Sequence, residues 1–246
     1  MNRWSHPVVV LAVLGLVSSL QAQSVSPPLA EYQERARASF QLQNASIYPM
    51  TVVLEVRGFA ITDQGEVQDV PLDSRIHVKL SELSFRLPAR GSHTVFYEAT
   101  SDTLPAWFNI LSAMSGAKTE SGLNVRILLP HVVYLNQKQS LQREDVAIQR
   151  MEFDASAKRA RVLLENTGPR LGRVYQLTVA DGHSTSQPAG GFPLLPHRRR
   201  WAEIQWEGAT APDRVTIRCA RFTIDTTLSS VPASLAADSA ASAPRP

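Results

Sequence analysis

Residues 123–135, LNVRILLPHVVYL, place Leu123, Val125, Ile127 and Leu129 at every second position, against Asn124, Arg126 and Leu128, until Pro130 interrupts. A period of two sets four aliphatic side chains on one face of a strand, and the proline, which has no N–H to give a ladder, favours a sheet edge or a bulge. The same rhythm recurs in RASFQLQN, where Ala38, Phe40 and Leu42 alternate with Ser39, Gln41 and Gln43. MTVVLEVRGFA, IHVKL, HTVFYEAT and WFNILSAM are further short runs rich in β-branched and aromatic residues, with TDQGEV and PARGS as turns between runs. With SVSPPLAEY as the first, the pattern predicts about seven strands at the spacing of a β-sandwich.

From Asn136 to Asp145 the sequence NQKQSLQRED is polar and without periodicity, and residues 138–145 are expected to link two domains. A second series of strand-like runs follows: IQRMEFD, RARVLLENTG, RVYQLTVADG, FPLLP, RWAEIQW and RVTIRCARFTI. Each half has a strand ending in Asn (Asn44, Asn166), then a turn, then a longer β run, which suggests two related sandwiches over 23–137 and 146–229. Residues 230–246 are rich in Ala, Ser and Pro and are expected to be disordered.

The N-terminus changes the compartment. MNRWSHP with Arg3, the apolar VVVLAVLGLV and then SSLQA form the three regions of a secretory signal peptide over 1–22, with cleavage expected after Ala22. The apolar run is shorter than the about 20 residues that span a bilayer, so no membrane insertion is expected after cleavage. The formal charge, 25 − 22 = +3, falls to +2 without Arg3 and is too mild to argue for nucleic acid. A single cysteine, Cys219, excludes an internal disulfide in an oxidising compartment and is expected to be a buried thiol. No two of the six histidines stand at a metal-ligand spacing, and no nucleophile elbow, P-loop or dinucleotide fingerprint occurs, so neither a cofactor nor an enzymatic activity is expected. HRRRW (197–201) reads either as a contact for an anionic partner or as a solvated strand start, and Trp107, Trp201 and Trp206 as core or interdomain packing.

The export signal, SVSPP leading into the first strand, FQLQNASIYPMTVVLEV, LSFRLPARGSHTVFYEA, PAWFNIL and RILLPHVVYL, taken in order, resemble the PapD-like family of periplasmic pilus-assembly chaperones. VLLENTGPRLGRVYQLTVADG and GFPLLPHRRRW resemble its non-classical branch. The resemblance implies an all-β chain of two tandem immunoglobulin-like β-sandwich domains in a boomerang arrangement with a cleft between them. It also implies a function: a periplasmic chaperone lends an edge strand to pilus or fimbrial subunits and delivers them to an outer-membrane usher. Leu123, Val125, Ile127 and Leu129 would then enter pockets of the subunit. Periodicity alone equally admits that they line the domain's own core, and an accessory or surface pilus protein that lends no strand is the alternative function. The better-known members hold the subunit's C-terminal carboxylate with an Arg in the first strand and a Lys in the lent strand. Those places fall near Leu29 and between Leu128 and His131, where no fixed positive charge stands. Arg126, Arg35, Arg37 and Lys79, with His131 as a pH-sensitive anchor, are the cations left to take that role.

Overall fold

The computed structural model describes residues 23–118, 124–228 and 231–232. Ten strands build the first sandwich: β1 (Ser24–Ser26), β2 (Leu29–Gln33), β3 (Ala36–Gln43), β4 (Met50–Ile61), β5 (Val67–Val70), β6 (Ile76–Leu80), β7 (Ser84–Leu87), β8 (Ser92–Ser101), β9 (Ala106–Lys118) and β10 (Asn124–Asn136). One sheet runs β1-β3-β8-β6 and the other β2-β10-β9-β4-β5, with β7 also on β4. Alternation fixes which side faces in: Phe40 and Leu42 of β3, Val95 and Tyr97 of β8, and Phe108 and Ile110 of β9 are buried between the sheets. The expected first strand is two. Pro27 and Pro28 interrupt it, so β1 pairs with β3 in one sheet while β2 pairs in parallel with β10 in the other.

The segment joining the halves is not featureless. A 3₁₀ turn over Arg143–Asp145 ends in a buried carboxylate that pairs with Arg170 at 2.9 Å and accepts the Gln142 N–H at 2.9 Å. Leu141, from the same polar stretch, is buried in the second core.

The second sandwich comprises β11 (Val146–Asp154), β12 (Arg159–Asn166), β13 (Gly172–Val174), β14 (Gln176–Ala180), β15 (Phe192–Leu194), β16 (Arg198–Gln205), β17 (Arg214–Arg218), β18 (Thr223–Thr227) and β19 (Val231–Pro232). Its sheets are β16-β12-β11-β19, β14-β17-β18 and the pair β13-β15, around Met151, Val162, Leu164, Leu177, Trp206 and Ile217. No sheet contains strands of both halves, and the chain is two all-β, immunoglobulin-like sandwiches in tandem. The run RVYQLTVADG divides at Tyr175 into β13 and β14, and RVTIRCARFTI is the β17–β18 hairpin. Of the tail expected to be disordered, Val231 and Pro232 pair in parallel with Glu152 and Phe153, whereas Ser230 and residues 233–246 lie outside the described residues.

The two asparagines are equivalent in detail. Asn44 is fully buried, donates to the carbonyls of Tyr48 (2.8 Å) and Pro88 (2.9 Å), and accepts the Ser46 N–H at 3.0 Å. Asn166, also fully buried, donates to the carbonyls of Arg170 (2.6 Å) and Leu194 (3.1 Å) and accepts the Gly168 N–H at 3.1 Å. In each case one amide closes its own turn through residues i+2 and i+4 and ties that turn to a distant loop.

Candidate functional site: the open margin of strand β10

β10 pairs antiparallel with β9 from Asn124 to Leu135, through a bulge at Val125/Arg126 where Gly116 of β9 has no opposite residue. Gly116 has φ of +105°, a conformation that L side chains rarely adopt, so glycine is what lets β9 carry the extra residue. On the other side β10 pairs only over Val132–Asn136, with β2. Residues 124–131 therefore have no strand partner on that margin among the described residues. Val132 donates its N–H across that margin to the Pro28 carbonyl at 2.9 Å. Since successive residues alternate sides, the main-chain groups of Arg126 and Leu128 point out of the sheet. Pro130 has the same parity, so its missing N–H costs the β9 ladder nothing and removes one donor from the open margin.

The side chains sort the other way. Ile127 and Leu129 are partly buried and pack against the first core, while Arg126 and Leu128 lie on the outer face, Leu128 at 56% exposure. Val125 pairs through its backbone with Ala117, and Leu123 lies outside the described residues. Leu128 is an apolar residue of this strand that the alternation assigned to the polar face. In the pairing register it meets Ala113, which meets the half-exposed Val53, so an apolar row crosses the outer face of the sheet.

The anchor candidates are not brought together. Arg126 alone combines exposure with a place on the open stretch. Arg35 is exposed in the connection from β2 to β3. Arg37 and Lys79 both register with Glu98 on the opposite sheet, and Arg37 is paired with it at 3.1 Å. His131, expected as a pH-sensitive anchor, has no exposed surface with which to meet a subunit. Its ring stacks on Phe40 at 4.7 Å, its Nδ1 stands 2.7 Å from the Pro27 carbonyl and its Nε2 3.0 Å from the Tyr97 hydroxyl. A carbonyl only accepts, so Nδ1 carries the proton and, in the neutral ring, Nε2 accepts from Tyr97. The Tyr97 and Tyr32 hydroxyls are 3.1 Å apart. Burial lowers the imidazole pKa below its ordinary value and raises that of the Tyr97 phenol. His131 thus clamps the Pro27 crossover onto β10 where pairing with β2 begins. Its parity, shared with Ile127 and Leu129, was the available signal for burial.

Past His131, β10 becomes part of the domain junction. Tyr134 is buried with Phe59, Leu171 and Leu195, and Trp107 and Val132 pack against them. Arg173 of β13 donates to Glu31 of β2 at 2.6 Å and lies over the Tyr134 ring at 5.4 Å. Trp201 donates its backbone N–H to the Asp63 carbonyl of the β4–β5 turn at 2.6 Å. Of the 197–201 cluster, Arg199 pairs with Glu165 at 3.5 Å and Arg200 lies half-buried over Phe192. Trp107 donates to the Phe59 carbonyl at 2.9 Å, and Trp206 is buried in the second core. A cleft of about 340 Å³ between the domains is lined by Glu31, Tyr32, Tyr134, Arg173, Cys219 and Arg221 among others. Cys219 is buried, and that burial pushes its thiol pKa up to about 11, so the thiolate that would react is scarce near neutral pH. No three His, Cys, Asp or Glu side chains converge as a metal site among the described residues. No helix among the described residues is long and apolar enough to cross a membrane.

The chain thus consists of two all-β sandwiches, with the leading margin of β10 in the first without a strand partner among the described residues. The chain superposes on the class 5 fimbriae chaperone CfaA with a TM-score of 0.51 at 11% identity, over 85% of this chain and 100% of that one. The Escherichia coli chaperone DraB gives a TM-score of 0.47 at 16% identity, over 84% of this chain and 98% of that one. The Pseudomonas aeruginosa CupB2 chaperone gives 0.45 at 16% identity, over 83% and 100%. The first superposition carries the fold, and at such identities the likeness is one of architecture. No family model matches the chain, and no curated protein matches it significantly.

Proposed function

We propose that the protein is an exported, periplasmic chaperone that binds fimbrial subunits by lending them the open margin of β10 and passes them to an outer-membrane usher. The observation that carries this reading is the unpaired stretch 124–131, fixed on one side by β9, in a chain with the fold of a fimbrial chaperone. An exposed margin of this kind templates pairing with another chain, and natural proteins usually blunt theirs. A subunit strand laid along it would accept the N–H groups of Arg126 and Leu128 and donate to their carbonyls. The apolar contribution is smaller than four free aliphatic side chains would give. Full desolvation contributes about 1.5–3 kcal/mol each, and Ile127 and Leu129 already bury part of their surface at home. Main-chain pairing and the exposed Leu128 then make up more of the contact, which suits a complex that must later be exchanged. Arg126, exposed on the open stretch, would be the cation that meets a subunit carboxylate.

Leu128→Pro tests the reading. It removes one outward N–H and none of the bonds to β9, so the fold should persist while capture of a co-expressed subunit falls by at least tenfold. Undiminished capture by the folded variant would refute strand lending and favour an accessory protein of the same fold.

A further inference from the structure

The guanidinium groups of Arg161, Arg173 and Arg200 lie where the β4–β5 turn of the first domain, with the exposed carboxylates of Asp63 and Glu66, reaches the edge of β16 in the second. Arg161 is satisfied there, by Gln64 at 2.7 Å and Glu152 at 3.7 Å. Glu203 is held by Arg159 at 2.7 Å. Arg173 has Glu31, although its Nη2 is buried without a partner. Arg200 has no carboxylate within ion-pair distance among the described residues, and its Nε is likewise buried without a partner.

Its position explains the isolation. Arg200 shares the inward parity of Ala202 and Ile204 on β16, so its stem enters the mouth of the second sandwich and its guanidinium lies over Phe192 at 4.7 Å. Gly65 closes the other side: a Cβ there would come within 3.1 Å of Nη2. Removing a guanidinium from water with neither counter-ion nor partner for Nε is costly unless something supplies both. Burial lowers its pKa, with Tyr134 acting the other way and Arg173 adding a smaller lowering. Beside it is a cavity of about 270 Å³, lined also by Gln64, Arg161, Gly190 and Trp201.

We propose that this cavity binds a small oxyanion, taken side-on by Nε and Nη2 of Arg200 with Arg161 facing it, so that the anion fastens the two domains together. A guanidinium matches a carboxylate or phosphate through two parallel N–H bonds, and Nε, buried without a partner, would turn toward the cavity to make one of them. The site lies on residues other than the β10 margin and does not depend on the chaperone reading. The oxyanion is either free in solution or the end of another chain, and two probes separate these sources.

The experiment is thermal unfolding of the mature chain in inorganic phosphate or in N-acetylglycine, a mimic of a chain terminus, each against chloride at equal ionic strength. For wild type, a probe at a hundred times its dissociation constant should raise the midpoint by about 5 °C or more. A shift with phosphate identifies a free anion. A shift with N-acetylglycine alone identifies a chain terminus, and either supports the site. Arg200→Gln should abolish the shift, and Arg200→Lys, which keeps the charge but not the paired geometry, should weaken binding at least tenfold. Should Arg200→Gln not fold, the lysine variant and wild type carry the test. Equal shifts in wild type and the variants, or none with either probe, would overturn the proposal.

Discussion

His131 is the residue at which sequence chemistry and placement diverge most. An imidazole next to an open strand suggests a titratable anchor, yet its ring is sealed between Phe40, the Pro27 carbonyl and Tyr97. Its consequence is for stability. The unfolded imidazole protonates near its ordinary value of 6.5, whereas the buried one resists until lower pH. Between those values the unfolded chain holds more protons, so this contribution is intact above about 6.5 and is lost as pH falls through the window, by at most about 1.4 kcal/mol per unit. Chemical denaturation of wild type and His131→Gln between pH 7.5 and 5 should show a shallower decline in the variant. Equal slopes would place the titration elsewhere. Asn44 and Asn166 argue at the same scale: Asn44→Ala removes a fully buried amide and its two hydrogen bonds to the Tyr48 and Pro88 carbonyls and should cost about 1–3 kcal/mol, as should Asn166→Ala in the second domain. Losses below half a kcal/mol would show that the turns hold without them.

Among elements, β10 sets one face against the first core and leaves the other exposed, and substitution should separate the two. Ile127→Asp buries a carboxylate against the first core and should destabilise by more than about 2 kcal/mol, while Leu128→Asp changes stability by less than about 0.5 kcal/mol. Equal effects in equilibrium unfolding would contradict the assignment of faces. The long strands were legible because alternation over eight or more residues admits one buried face, as β3, β4 and β10 show. What was not legible depends on partners distant in sequence. β5 is exposed or half-exposed throughout and therefore had no pattern to read. Asp145 reads as a linker charge until Arg170 and Gly168 are folded against it. A Cβ on Gly168 would overlap the Asp145 carboxylate, so the glycine is required by that contact. That the margin of β10 is open over 124–131 follows from β2 reaching only to Val132, which no property of β10 itself encodes.

On the scale of the whole molecule, one strand joins the open margin to the domain junction. Val132 and Tyr134 continue the strand that carries Arg126 and Leu128, and they pack with Phe59, Leu171 and Leu195 across the boundary. The Arg173–Glu31 pair and the Trp201–Asp63 backbone bond add polar ties at the same boundary. An apolar junction with these ties should make the domains unfold together. Leu195→Ala, which touches the junction but not the open margin, should cost about 2–4 kcal/mol and split the calorimetric transition in two. An undivided transition at the wild-type temperature would mean that the domains are coupled by other contacts.

Under the proposed function, β10 keeps the outward main-chain groups of Arg126 and Leu128 for another protein. Amide hydrogen exchange resolved by residue, with and without a bound fimbrial subunit, tests it most directly. Arg126 and Leu128 should exchange rapidly in the free protein and become protected in the complex, whereas Ile127 and Leu129, bonded to β9, should be protected in both. Protection of Arg126 and Leu128 in the free protein, or no gain on subunit binding, would contradict it.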